Sequence, residues 1–326
     1  MGRGLAGRDG VRTYILRRLL AMVATLLGVS IIVFVMMRLI PGTVVEQLLG
    51  QSALVGEETI RSLRAFFGLD RPWYVQYVEW LGGLLRGDLG ASWRSNRPVL
   101  TLILSRLPVS AELAVLAVAW SLCIGIPMGV LAALRRGSTS DSVIRFLSTL
   151  GLSVPAFWQG TLLILLFSVY LQWMPSIQWV SIRQNVWVNL SIIALPALTL
   201  GTATAAMISR MTRSTMLDVL GREYVRTARA KGVREPRVVS HHALRNALIP
   251  VVTVAGVQMG YILGGIVVVE DVFNLPGIGR LLLDAIFQRD YPVVQGTILV
   301  GAGLFMGLNF LVDLLYAVID PRIQYG

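Results

Sequence analysis

The chain has 326 residues, of which 55% are hydrophobic and only 14% charged, with a mean hydropathy of +0.69; that balance lies outside soluble globular proteins and makes this a membrane protein. The net charge of +11 does not read as a nucleic-acid footprint, because the arginines are parcelled between apolar runs and do not line one surface with interleaved aromatics. The single lysine, Lys231, has no G-x-x-x-x-G before it and the single cysteine, Cys123, sits in an apolar run, which excludes a P-loop for ATP hydrolysis and an internal disulfide.

Arg3, Arg8, Arg12, Arg17 and Arg18 precede an uncharged run from Leu19 to Met37, long enough at about 1.5 Å per residue to cross a membrane of roughly 30 Å. No A-x-A-like site follows, so this reads as an uncleaved first helix. From Pro41 to Arg106, seven Arg face six acidic residues, and two amphipathic helices are separated by Gly68, Asp70 and Pro72. Trp73, Tyr77, Trp80 and Leu84 share one face of the second, as suits a membrane interface or a cap packed on the membrane helices. Further crossings are expected at Leu113 to Leu134, Phe146 to about Tyr170, about Trp187 to Ser209, Asn246 to Val269 and Tyr291 to Val312, six in all. Pro127, Pro155 and Pro196 interrupt three of them, which membrane helices tolerate when neighbours satisfy the freed carbonyls.

Between the fourth and fifth of the six runs lies a basic hairpin. Nine Lys or Arg from Arg210 to Arg245 stand against Asp218, Glu223 and Glu235, a net +6 that must face water. Leu217, Leu220, Tyr224 and Ala228 recur at spacings of three and four as one apolar stripe, with Arg222, Arg226 and Arg229 on another face. Lys231 suits the negative end of the helix dipole, Gly232 can take the left-handed turn that stops the helix, and Pro236 can open the next. Pro250 falls inside the following apolar run. The adjacent His241 and His242 face different directions on a helix and read as solvated or interface groups, not metal ligands.

Lys and Arg placement sets the orientation. Residues 1–18, 135–145, 210–245 and 319–326 carry 18 in 73 positions; residues 41–112, 171–189 and 270–290 carry 10 in 112. The positive-inside bias puts the first set, with both termini and the hairpin, in the cytoplasm; Arg38 and Arg106 run against it.

Glu223, Ala228 five residues on, Gly232 nine on, and Ile249-Pro250 resemble the EAA loop of permease subunits of bacterial ABC importers, with Tyr224 where that motif has Ala. RTARAKG and HALRNALIP resemble its dipeptide and oligopeptide branch, as do FGLDRPWYVQYVEWLGGLLRGDLGASW, VEDVFNLPGIGRLLLDAIFQRDYPVVQG and LVDLLYAVIDPRIQYG, four segments in order over nearly the full length. The resemblance implies an all-α integral membrane protein of the bacterial plasma (inner) membrane, with the type I ABC importer permease fold. Residues 1–106 would supply the first transmembrane helix and an external segment, and 107–320 a five-helix core with the coupling hairpin at about 212–247. It implies that Glu223, Tyr224, Arg226, Ala228, Arg229 and Gly232 dock on one of two separate ATPase subunits, so that the chain is not itself an enzyme and needs no cofactor or metal. It also implies a second permease, non-identical or a second copy, and an external substrate-binding protein. Peptides are the leading cargo, with nickel chelates, glutathione and some sugars as alternatives within the branch.

Inside the apolar runs, Gln159, Gln258 and Asn309 are candidates for the substrate path, although small polar groups there also bridge helices. Glu112, Glu270 and Asp271, at outer ends, are expected to be solvated or to line an entrance. Asp313 is expected to pair with an Arg near a boundary. The rival class, an ion-gradient-driven secondary transporter or channel, calls for internal repeats and paired intramembrane acids, and neither is seen. No H-E-x-x-H or G-x-S-x-G pattern supports a membrane-embedded enzyme.

Overall fold

The computed structural model describes residues 6–42, 45–46, 57–173 and 179–319, and the side chains of these apart from 6–14, 263 and 313–319. Among the described residues every regular element is helical, besides one isolated antiparallel bridge between Ala91 and Pro98. In chain order the helices are α1 (Ala6–Leu39), α2 (Glu57–Phe66), α3 (Trp73–Leu85), α4 (Val99–Leu134), α5 (Thr139–Ser153), α6 (Ala156–Ile164), α7 (Val186–Leu220), α8 (Glu223–Ala230), α9 (Arg245–Val272), α10 (Ile278–Phe287) and α11 (Tyr291–Ile319). π-helical turns continue α6 through Leu165–Tyr170 and lead into α9 through Val238–Leu244. The side chain of Asp313 lies outside those described.

Among the described residues, five segments are long and apolar enough to cross a bilayer: Ile15–Leu39, Val99–Leu134, Val186–Leu220, Glu235–Ile262 and Tyr291–Val312. The sixth expected crossing, Phe146 to Tyr170, is not straight, because α5 and α6 meet at 103°. Val154 and Pro155 both take extended backbone, with ψ of 122° and 137°, as a proline ring drives the residue before it out of the helical region. Pro127 and Pro196, by contrast, lie within continuous helices. Around Pro196 the flanking Ile193, Leu195 and Ala197 are buried, so packing carries that helix across its missing hydrogen bond.

The chain divides into two compact units, Met1–Pro108 with Arg280–Gly326, and Val109–Gly279. In the first, α1 packs along α11, and the aromatic face of α3 covers α1. Phe34, 2% exposed, meets the Tyr77 ring edge-on at 5.1 Å and stacks near Trp80 at 6.1 Å, while Ser30 shares a 2.8 Å hydrogen bond with the Tyr77 hydroxyl. Tyr77 and Trp80 therefore form a packed cap, and Trp73 at the start of the same face stays 63% exposed. Arg38, which ran against the charge bias, is satisfied inside the unit: its guanidinium lies 3.3 Å over the Phe34 ring and donates to Gln76 Oε1 at 2.6 Å. Asp290, 3% exposed, accepts from the Ser92 hydroxyl and, at 3.1 Å, from the Trp93 amide, which pins the 91–98 turn beside the start of α11.

The second unit is built on α4, α7 and α9. Leu113 and Ala117 of α4, Ile193, Ala197 and Leu200 of α7, and Ile262, Ile266 and Val269 of α9 form one buried cluster. α4 and α7 approach so closely that a Cβ added at Gly125 would lie 2.7 Å from the Ala205 carbonyl oxygen, and one at Gly129 2.5 Å from that of Ser209. On α7, Gly201 is equally tight against the Ala117 carbonyl, at 2.7 Å. This is the small-residue packing of membrane helices, where close backbone approach replaces a hydrophobic drive that lipid does not supply.

Candidate functional site

The basic hairpin begins where α7 ends at Leu220 and the chain turns at Gly221. That break shifts the helical phase, so the stripe expected through Leu217, Leu220, Tyr224 and Ala228 does not run straight into α8. Val225 takes the fully buried position and Tyr224 is 44% exposed, its hydroxyl 3.4 Å from the His242 carbonyl. Ala228, 8% exposed, packs with Val225 and Val238 in the hairpin's own small core, flanked by Val219, Leu220 and Val233. It is thus covered from within the hairpin, where the two arms pack on each other.

The turn has the expected stop. Gly232 has φ of +76°, its amide donates to the Arg229 carbonyl at 2.9 Å, and the Val233 amide donates to the Ala228 carbonyl at 3.2 Å. These paired bonds, with Val233 folded onto the α8 core, are the Schellman closure of a helix. Pro236 lies in the first turn of Glu235–Arg237, where its missing amide is harmless. Arg229 closes the hairpin from outside by donating to both Glu235 oxygens, at 3.0 and 2.6 Å. A bidentate fork of this kind fixes direction as well as distance, and it holds the Arg229 guanidinium above its usual range.

What the hairpin presents is strongly basic. Glu223 pairs with Arg226 at 2.9 Å, both well exposed, and Glu235 is taken up by Arg229. Arg222, Lys231, Gly232, Arg234 and Arg237 are exposed, and Gly232, Arg234, Pro236, Arg237, His241 and His242 border a surface depression. Beneath it Met216, Ala133, Ala243 and Ala247 form a second buried cluster. The hairpin is therefore a rigid basic surface seated directly on the end of α7.

The expected path residues separate. Gln159 donates to the Thr202 hydroxyl at 2.8 Å and borders a largely apolar cavity of about 710 Å³ with Trp120, Ile124, Trp158 and Ala206. Gln258 and Asn309 are half-buried, and Gln258 does not border that cavity.

Glu270 is not solvated, contrary to expectation: it is 0% exposed. Its carboxylate accepts from the Ser110 hydroxyl and from the Gly279 amide at 2.8 Å, and Ser110 Oγ in turn accepts from the Ile278 amide at 2.8 Å. A Cβ at Gly277 would fall within 2.0 Å of the carboxylate. Glycine at 277 makes room for a buried carboxylate that ties the segment after α9 to α4, and the close P-G-I-G spacing was the one signal of it in the sequence. Glu112 is half-buried and Asp271 exposed.

Residues 125–325 match the family described as binding-protein-dependent transport system inner membrane component, and residues 11–114 match the N-terminal part described for the membrane components of the same systems. The chain is 42% identical over 315 residues to the oligopeptide transport system permease protein AppB of Bacillus subtilis, covering 96% of this chain and 99% of that protein. It is 42% identical to the dipeptide transport system permease protein DppB of Escherichia coli, over 96% and 98% of the two. Against the glutathione transport system permease protein GsiC of Pectobacterium atrosepticum it is 44% identical, over 96% and 99%. Among solved structures, an inward-facing MetNI methionine ABC transporter superposes with a TM-score of 0.54 at 16% identity, over 68% of this chain and 97% of that one. That likeness establishes the fold, the type I ABC importer permease.

Proposed function

Because the chain belongs to the family of binding-protein-dependent transport system inner membrane components, we propose that it forms one wall of a peptide import path and takes its energy from separate ATPase subunits docked on the basic hairpin. The permease role and the multi-pass plasma-membrane location follow from the family. The cargo assignment is supported by oligopeptide and dipeptide relatives matched over almost their whole length; glutathione, carried by the system of another relative, is itself a tripeptide.

The observation that carries the docking reading is the closed hairpin. Its arms are locked by the Gly232 turn, the Val225–Ala228–Val238 core and the Arg229–Glu235 fork, so a push on its surface moves the end of α7 and is not dissipated in a loop. Exposed Glu223, Tyr224, Arg226 and Arg234 form the face offered to the ATPase, and excess Arg suits a groove with an acidic rim. Alternating access then proceeds by approach of the two ATPases on binding ATP, displacement of their hairpins, and outward opening to a substrate-binding protein.

Two measurements test this. The first is the mass of the intact complex purified with its operon partners: one copy of this chain and one of a second, non-identical permease are expected per ATPase pair. A single permease copy per ATPase pair contradicts the two-walled path. The second is topology, after replacement of Cys123. A cysteine at Ser95, exposed in the 91–98 turn, is expected to react with an impermeant maleimide in intact cells, and one at Ser240, exposed on the hairpin, only after permeabilisation. Equal labelling of both in intact cells removes the hairpin from the ATP-containing side and docking with it.

A further inference from the structure

Seven residues before its end, α7 carries Arg213, whose side chain reaches the carboxylate of Asp141 in the first turn of α5. Arg213 Nε donates to Asp141 Oδ1 at 2.7 Å, and its Nη2 donates to Asp141 Oδ2 at 2.8 Å. The Asp141 side chain is 2% exposed and that of Arg213 23%. The Gly137 amide donates to the same carboxylate at 3.0 Å, and Ser138 caps α5 by accepting from the Asp141 amide. Arg145, on the solvent side with 59% exposure, lies 3.8 Å away and adds charge without a second fork.

The pair lies between two moving parts of the proposed cycle. Along α7 towards the hairpin, Met216 packs on Ala133, Ala243 and Ala247, and Val219 and Leu220 pack on the hairpin core. In the other direction Asp141 opens α5, whose far end is the 103° bend into α6. Ser148 and Gly151 of α5, Val154 at the bend, and Trp158 and Gln159 of α6 border the 710 Å³ cavity. Further along, α5 buries Ile144 and Ser148 and sets Gly151 against Thr202 and Ala206 of α7, apolar and uncharged contacts that carry no fixed direction. A buried bidentate ion pair cannot slide, because parting it leaves a carboxylate without its counter-charge.

We propose that the Asp141–Arg213 fork is the positioning pair through which a displacement of the hairpin, carried by α7, drags the start of α5 and so changes the bend at Val154–Pro155 and the cavity beside it. The inference rests on the docking reading above. It assigns no cargo contact to either residue; the two act through the helices they join.

The test uses the complete complex, both permeases, ATPases and binding protein, in proteoliposomes. ATPase attachment, melting temperature, ATP hydrolysis and peptide uptake are measured for wild type, Asp141→Asn, Arg213→Lys and, as control, Arg145→Gln. In Asp141→Asn, attachment and hydrolysis are expected within about twofold of wild type while uptake falls about tenfold, so that more ATP is spent per peptide; this is an ordinary size for a coupling between sites. Arg213→Lys, which keeps the charge and loses the fork, is expected to fall between, and Arg145→Gln to match wild type. Wild-type uptake in Asp141→Asn overturns the inference, as does a fall in uptake that only tracks loss of assembled complex or of melting temperature. Absence of ATPase from the wild-type permease is a separate outcome, which overturns the docking reading and this inference with it.

Discussion

Gly129→Val is expected to prevent the permease from accumulating in the membrane. A Cβ at this position would lie 2.5 Å from the Ser209 carbonyl oxygen, 2.6 Å from Thr212 Cβ and 3.0 Å from Thr212 Cγ2. The first of these atoms is backbone and the second is fixed to it, so no rotamer change relieves the clash and α4 must leave α7. Separation by even about 1 Å gives up much of the contact well along the interface, and overpacking of this kind costs about 1–3 kcal/mol before further losses. The same shift would loosen the neighbouring contact of Gly125 with Ala205 and the Ser121 hydroxyl from the Gly201 carbonyl, now 2.9 Å away. Loss of roughly 2 kcal/mol already changes abundance several-fold in cells. The measurement is the amount and melting temperature of detergent-solubilised protein, with Gly28→Val as control, since nothing lies within 4 Å of a Cβ at Gly28. A Gly129→Val protein that matches this control in both would show that α4 and α7 do not meet as described.

Gly232→Val is expected to leave accumulation and melting unchanged and to cut transport about tenfold. Nothing lies within 4 Å of a Cβ at this glycine, so the substitution creates no clash; its whole effect is on the backbone, whose φ of +76° is strongly disfavoured for a β-branched residue. The left-handed conformation costs roughly 1–2 kcal/mol for an ordinary L-residue, and valine relieves it by leaving that region. The two closing hydrogen bonds from Gly232 and Val233 are then lost, and Glu235 no longer faces Arg229. Tenfold in binding corresponds to about 1.4 kcal/mol, so ATPase attachment is expected to weaken by about that factor, and uptake with it. Gly232→Asn, a residue that enters the left-handed region more readily, is expected to be milder. Attachment and uptake are compared in membranes with matched amounts of each protein. Wild-type values for Gly232→Val would reduce the hairpin to a solvated loop.

The contrast between the two variants separates what was legible from what was not. Apolar run lengths, the arginine-rich hairpin, its Gly232 stop and Pro236 restart, and the aromatic face of α3 could all be read along the chain. Each depends on residues within a turn or two: hydrophobic length, helical periodicity, the φ available to glycine, the amide that proline lacks. Gly232 belongs to this class, since its reason is its own φ.

Tertiary structure decided the rest. Gly129 looks like any glycine in an apolar run until the Ser209 carbonyl, eighty positions on, is set against it. Of Pro127, Pro155 and Pro196, only Pro155 sits at a bend, and Pro196 is held within its helix by buried neighbours on both sides. Ala228 turned inward once Val238 folded back on it, and Glu270 was buried by Ser110, 160 positions earlier. Asp141 and Arg213, 72 apart, carried no local sign that they would meet. The physical reason is common to all of them. Backbone rules act through adjacent dihedral angles, so they are written locally; which face is covered, which carboxylate finds donors and which glycine is irreplaceable depend on atoms that only the packing of distant helices brings within a few ångströms.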